Sequence, residues 1–226
     1  MKNLRFNIGR IVGNSDLLFP LLYLSKSRKN GIIRKDSDIC IEGFQRSGNT
    51  FFHFSFMRLN RQANIAHHLH ASAQVIKAIQ QGTPTIVLIR NPLEAVASLM
   101  VKDLNLTVES GLKSYMDFYK NLMPHRSKFV VGKFEEVIDQ PGLLVKQINE
   151  QFKQEFQYEI LNDNKRANLK EQIKKKNLRN TITAGWERSS IPNEQKEAAK
   201  QVVKKQITDN HFYKKALAVY EKFLLV

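Results

Sequence analysis

Ile39-Cys40-Ile41-Glu42-Gly43-Phe44-Gln45-Arg46-Ser47-Gly48-Asn49-Thr50 is the stretch on which the fold turns. It reads as a short strand, a glycine-bounded loop and the start of a helix, with Gly43 and Gly48 spaced as in the G-x-x-x-x-G-K-[ST] phosphate loop. Such a loop points successive backbone N–H groups inward and adds a helix N-terminus, which together hold an oxyanion. The lysine position is taken by Asn49, so the cation that reaches the β- and γ-phosphates of a nucleoside triphosphate is missing. A cation stands instead inside the loop, at Arg46. The plainer reading is a strand-turn-helix corner with polar loop residues. The coincidence of Gly, Arg, Ser, Gly and Thr at cradle positions weighs against it.

A second stretch, Thr85-Ile86-Val87-Leu88-Ile89-Arg90-Asn91-Pro92, has the same strand-to-helix form. Its continuous apolar run, β-branched at Ile86, Val87 and Ile89, marks a strand buried on both faces. Asn91 is placed to cap a helix that has Pro92 in its first turn. A triphosphate hydrolase usually ends this strand with a magnesium-holding Asp; here it ends with Arg90. Ser98 lies eight residues on and is expected on the same side as the helix start. An Arg and a hydroxyl together suit a phosphate, one supplying charge and the other direction.

Outward from these anchors the chain alternates strands and helices. Strands are expected at Asp38–Ile41, Asn64–His67, Thr85–Ile89 and Lys128–Gly132. Helices are expected at Asn49–Leu59, Ser72–Gln80, after Asn91, at Thr107–Leu122 and from Pro141 through Phe152. This order predicts an α/β fold, a three-layer sandwich with a central parallel sheet. Beyond about Asn162 no strand signal remains. Helices are expected from Pro192 towards Ile207 and over Phe212–Leu225, so 162–226 reads as a helical C-terminal part of the same domain, 37–226.

The 226 residues carry 36 Lys and Arg against 21 Asp and Glu, a formal net charge of +15. A chain this long buries roughly 70% of its unfolded surface, and 42% hydrophobic content excludes a disordered polycation. One cysteine, Cys40, rules out an intrachain disulfide. The excess charge calls for nucleic acid, an anionic membrane surface or a polyanionic small molecule. Leu17–Leu24 is apolar but broken by Pro20, far short of the ~20 residues that span a bilayer. Residues 1–36 are read as an N-terminal extension packed on the domain, with a peripheral membrane-touching arm as the lesser reading. A cytoplasmic location is expected.

The two anchors together resemble the motifs of the sulfotransferases that use 3′-phosphoadenosine 5′-phosphosulfate (PAPS). Gly43 to Phe51 resembles the family's 5′-phosphosulfate loop, G-x-P-[KR]-S-G-[TN]-T-[WF]. Arg90-Asn91-Pro92 with Glu94 and Ser98 resembles its 3′-phosphate motif, R-[ND]-P-x-[DE]-x-x-x-S. Ala66-His67-His68-Leu69-His70 falls where members carry K-T-H-L-P, and Phe129 to Val137 resembles a further strand-then-acidic segment. Arg179 and Trp186 resemble a late R-K-G-x-x-G-x-W element, with Asn180 and Thr181 in place of its Lys and Gly. The similarity covers roughly Asp38 to Trp186, and Gln45 departs from the usual Pro.

The resemblance implies PAPS as co-substrate and sulfuryl transfer to a hydroxyl- or amine-bearing acceptor, with no metal. It assigns the 5′-phosphosulfate to Arg46, Ser47, Gly48, Asn49 and Thr50, adenine stacking to Phe51, and the 3′-phosphate to Arg90, Ser98 and Arg179. Arg46 also stabilises charge on the leaving side. His68 is the candidate base, with His70 its rival. His67, His68 and His70 alone complete no tetrahedral metal set. The alternatives are a small-molecule kinase, or a non-enzymatic anion, nucleic-acid or membrane-surface binder motivated by the basic stretch 165–179. Nucleic acid is the less expected partner, and peripheral contact with an anionic surface stays open.

Overall fold

A computed structural model describes residues 2–15, 17–24, 31–103, 106–184 and 194–225, with side chains over 6–15, 17–21, 31–103, 106–175 and 197–225. The strands are β1 (Ile39–Gly43), β2 (Ile65–His67), β3 (Thr85–Ile89) and β4 (Val130–Lys133). They form one parallel sheet in the order β2-β1-β3-β4. Ile41 pairs with His67 on one side and with Ile86 on the other, and Leu88 pairs with Gly132.

The sheet is covered on both faces, and β3 shows it residue by residue. Ile86 and Leu88 pack with Ile39, Ile41 and residues of α2 (Asn49–Leu59) and α7 (Pro141–Phe152). Val87 and Ile89 point the other way, into α3 (Ser72–Gln80), α4 (Pro92–Lys102), α5 (Val108–Leu122) and α10 (Phe212–Leu225). All five residues of β3 are fully buried. Each large aliphatic side chain removed from water contributes about 1.5–3 kcal/mol, so this strand is the centre of the core. The observed fold is therefore α/β with a central parallel sheet.

Local chemistry sets the element ends. Asn91 accepts from the Leu93 N–H through its side chain, with Pro92 in the first turn, and Thr107 caps α5 by accepting from Ser110 N–H. Gly43 ends β1 where only glycine fits: a Cβ there would lie 2.4 Å from the Leu88 carbonyl oxygen. Two helices lie where no helix is expected from the sequence, α1 (Lys2–Gly13) and the one-and-a-half-turn α6 (Phe134–Asp139). The fourth strand begins at Val130 rather than Lys128, because a 3-10 turn spans Met123–Lys128.

The described parts of the N-terminal segment, among them Phe19 and Gly31 to Ile33, pack on the sheet edge beside β2. Arg10 pairs with Asp117 of α5 at 3.1 Å. Asn14 Oδ1 accepts from the Ser72 hydroxyl, and Gln74 bridges Ile33 N–H and the Gly31 carbonyl. At the other end, α8 (Asp163–Ala184) joins α2 through Leu161, Leu169, Ile173, Phe51 and Phe54. Helix α9 (Glu194–Thr208) lies along α4. The expected helix start at Pro192 lies outside the described residues. Among the described residues, no helix is long and apolar enough to cross a membrane.

Candidate functional site

The sequence segments singled out above converge at the C-terminal edge of the sheet, where open parallel sheets bind ligands. The β1–α2 loop runs from Gly43 to Gly48 with two left-handed residues, Arg46 (φ 68°) and Gly48 (φ 94°). Left-handed backbone is strained for a non-glycine residue, so the loop holds Arg46 in place by its surroundings. Phe44 N–H donates to the Tyr119 hydroxyl (3.4 Å), and that hydroxyl donates to the Leu88 carbonyl (2.8 Å). Asn49 Nδ2 closes the loop onto the Phe44 carbonyl at 3.0 Å.

Arg46 and Arg90 meet across the β1–β3 seam. Arg46 Nε donates to Ser98 Oγ at 2.9 Å, and Arg90 Nη1 donates to the Arg46 carbonyl at 3.3 Å. Arg90 lies over the Phe134 ring, 3.8 Å from its centroid, and its Nη2 is 3.6 Å from Glu94. Its Nε is buried without a hydrogen-bond partner. Burial lowers the pKa of both guanidiniums; for Arg46 the second cause is Arg90 itself. Two half-buried cations side by side, one with an orphaned donor, are a chemistry that suits an anion.

These groups line a hollow of about 580 Å³. Gly48, Asn49, Thr50, Phe51, His68, Arg46, Arg90 and Ser98 all reach it, and so do Lys102, Lys170, Lys174, Lys200 and Phe134. Among the described residues no carboxylate lines it. The first N–H groups of α2, at Asn49 to Phe51, belong to the turn that leaves backbone donors unpaired. Another hollow, by Asp38, Arg58, Asn60 and Arg61, lies at the C-terminal end of α2 and holds none of these residues.

Ser47 departs from its expected place. It is fully buried, its hydroxyl 3.5 Å from the Tyr119 hydroxyl, and its N–H already donates to the Phe44 carbonyl. It shapes the loop and does not reach the hollow. Arg179 lies on α8, but its side chain is outside those described, and Trp186 is outside the described residues.

The histidines rise from the end of β2 in left-handed backbone, His68 at φ 61° and His70 at φ 54°. His68 Nε2 is 3.2 Å from Thr50 Oγ1, at the mouth of α2. Its Nδ1 is 2.6 Å from His67 Nδ1. Burial first, then the neighbouring His70, His67, His53 and Lys102, push the His68 pKa down to about 2, so the ring is neutral. His70 also lines the hollow, its ring 6.0 Å from that of His68, and its Nδ1 donates to the Gly43 carbonyl at 2.9 Å.

The side chain that shapes this turn was not singled out in the sequence. Glu42, on β1, is fully buried and accepts from the Leu69 N–H (2.8 Å), the His70 N–H (2.9 Å) and Gln74 Nε2 (2.8 Å). Burial outweighs those bonds and pushes its pKa up to about 7. Tyr119 and Lys102 were not singled out either, and Phe134 was noted only as part of the Phe129 to Val137 segment, with no link to Arg90. Alternation of Ile39, Ile41 and Gly43 against Cys40 and Glu42 was the one available clue to a buried carboxyl.

Comparison with protein-family models and with curated proteins finds no match for this chain.

Proposed function

We propose that the chain is a sulfuryl transferase that uses PAPS and passes its sulfuryl group to a hydroxyl or amine. The observation that carries this reading is the joining of Arg46, Arg90 and Ser98 in one hollow that also holds His68 and that, among the described residues, no carboxylate lines. A polyphosphate site working through magnesium needs an acidic ligand at the strand end; Arg90 stands there instead. On this reading the β1–α2 loop is a phosphosulfate-binding loop. Its backbone, Arg46, Asn49 and Thr50 hold the 5′-phosphosulfate, Arg90 and Ser98 hold the 3′-phosphate, and Phe51 or Phe134 stacks on the adenine.

The chemistry is an in-line displacement. The acceptor oxygen forms a bond to sulfur and gives its proton to His68 Nε2, a role that requires the negative charge of the phosphosulfate to raise a ring pKa that burial and cationic neighbours hold near 2. The bond from sulfur to the 5′-phosphate oxygen breaks, and adenosine 3′,5′-bisphosphate leaves with the electron pair. Arg46 is permanently charged and stabilises that leaving oxygen without donating a proton. His68 accepts at Nε2 only if Nδ1 carries the ring proton, and His67 Nδ1 stands ready to receive that hydrogen bond.

A thermal-shift comparison of adenosine 3′,5′-bisphosphate, adenosine 5′-phosphate and ATP with magnesium tests the donor. The bisphosphate should stabilise most, and Arg90→Ala should weaken it far more than the monophosphate. Equal losses for both would remove the 3′-phosphate role, and a preference for ATP with magnesium would favour a kinase. With an acceptor in hand, His68→Ala should lower turnover about 100- to 10,000-fold.

A further inference from the structure

His53 lies on α2, one turn after Thr50, and packs against the histidines at the end of β2. Its ring stacks on His67 at 4.0 Å between centroids, 22° from parallel. The His68 ring stands edge-on to both, 5.4 Å from His53 and 4.8 Å from His67. One ring nitrogen from each of the three lies within 4.8 Å of the others, and all three residues are half-buried. The sequence alone grouped His67 and His68 with His70, but His70 is tied to Gly43.

We propose that His53, His67 and His68 form a binding site for a divalent transition metal of the zinc class, with a fourth position open to water. Zinc takes imidazole nitrogens at about 2.0–2.1 Å in tetrahedral geometry, which places pairs of ligand nitrogens roughly 3.3 Å apart. His67 Nδ1 and His68 Nδ1 stand closer than that at 2.6 Å, and the three nitrogens together lie within 4.8 Å, so ring rotation is needed to bring the set into range. The second independent feature is Thr50. A ligating histidine normally donates its other N–H to a fixed acceptor, and Thr50 Oγ1 already sits 3.2 Å from His68 Nε2. The absence of carboxylates in the set and the borderline-soft imidazoles select zinc, cobalt or nickel over magnesium and calcium.

A metal on His68 Nδ1 leaves the proton on Nε2, whereas base catalysis needs Nε2 free. Metal occupancy and base duty therefore exclude each other, a consequence that rests on the function proposed above. The chain would be inhibited by zinc and restored by a chelator.

The test is a titration of the full chain with Zn²⁺ by calorimetry and with Co²⁺ by visible absorption, without nucleotide. One metal per chain and an intense tetrahedral cobalt band are expected. His53→Ala should weaken binding at least about tenfold, with folding checked by circular dichroism. In case that variant does not fold, ring resonances of the wild type provide the same answer: His53, His67 and His68 should move on zinc addition, out of six histidines. Absence of stoichiometric binding, or perturbation of other histidines, overturns the site. Stoichiometric binding with turnover untouched leaves the site standing and overturns the role of His68 as base.

Discussion

Glu42 is the residue on which the shape of the site depends. Its carboxyl fastens the Leu69 and His70 backbone beside the β1–α2 loop, and burial holds its pKa up near 7 against an ordinary value of 4.5. The titratable groups facing it are His70, 4.0 Å away, and the Cys40 thiol, whose own pKa burial and Glu42 raise, which keeps it neutral. A carboxyl with a raised folded-state pKa stabilises the fold most when both states are protonated, below about pH 4.5. That contribution is lost as pH rises through about 7, and the total over the window is about 3 kcal/mol. Urea or thermal unfolding of the wild type and Glu42→Gln at pH 4.5 to 8 should show the wild type losing more stability across this range. Parallel pH profiles would mean that Glu42 is ionised in the fold throughout. Tyr119 offers a second check at the same scale. Tyr119→Phe leaves the Leu88 carbonyl without its donor, which should destabilise the chain by about 1–3 kcal/mol. Nucleotide affinity should fall with it, because the same hydroxyl receives the Phe44 N–H.

Among the elements, those with strong local signals were legible in the sequence. Asn49–Leu59, Ser72–Gln80, Thr85–Ile89 and Phe212–Leu225 have the bounds their apolar spacing and flanking residues predict. Helix α1 was not, because its apolar residues Phe6, Ile8, Ile11 and Val12 sit among basic ones without a cap or breaker that local reading could use. The candidate site was legible where one loop contains it, as in Gly43 to Phe51. It was illegible where it depends on tertiary approach: His53 beside His67, Phe134 beneath Arg90, and Tyr119 behind Ser47. Helix α8 shows the same division. Its basic run was obvious, but only the fold turns Lys170 and Lys174 to the hollow while Leu169 and Ile173 face Phe51 and Phe54. If this face supplies charge to the nucleotide, the double variant Lys170→Gln, Lys174→Gln should weaken adenosine 3′,5′-bisphosphate by roughly 3- to 10-fold at low salt, with the difference shrinking as salt screens it. Thermal stability should barely change, since both side chains are solvent-facing. An unchanged affinity at low salt would assign the α8 charge to another partner.

At the scale of the whole molecule, three side chains of the N-terminal segment are buried as deeply as those of the sheet. Phe19 is 2% exposed, Ile32 4% and Ile33 0%. These side chains share a cluster with Cys40 and Ala66 on the β1 and β2 strands. Gly31 lies so close to β2 that a Cβ there would meet the His67 carbonyl oxygen at 2.4 Å, and its own carbonyl accepts the His67 N–H. The segment thus holds the strand end from which the histidines project. Exposing three such side chains forfeits about 5–9 kcal/mol at about 1.5–3 kcal/mol each, against a total stability for a domain of about 5–15 kcal/mol. Removal of residues 1–36 should therefore abolish cooperative unfolding or leave a chain that aggregates. The internal replacement Ile33→Ala, costing about 2–5 kcal/mol, should lower the melting temperature while keeping the transition cooperative. Should the truncated chain melt cooperatively within a few degrees of the full one, residues 1–36 would be an appendage and the strand end would be held by the sheet alone. The bisphosphate-induced shift measured on Ile33→Ala then separates the two roles of the segment: support of the core lowers the melting temperature with and without ligand alike, whereas support of the histidine turn also shrinks the shift.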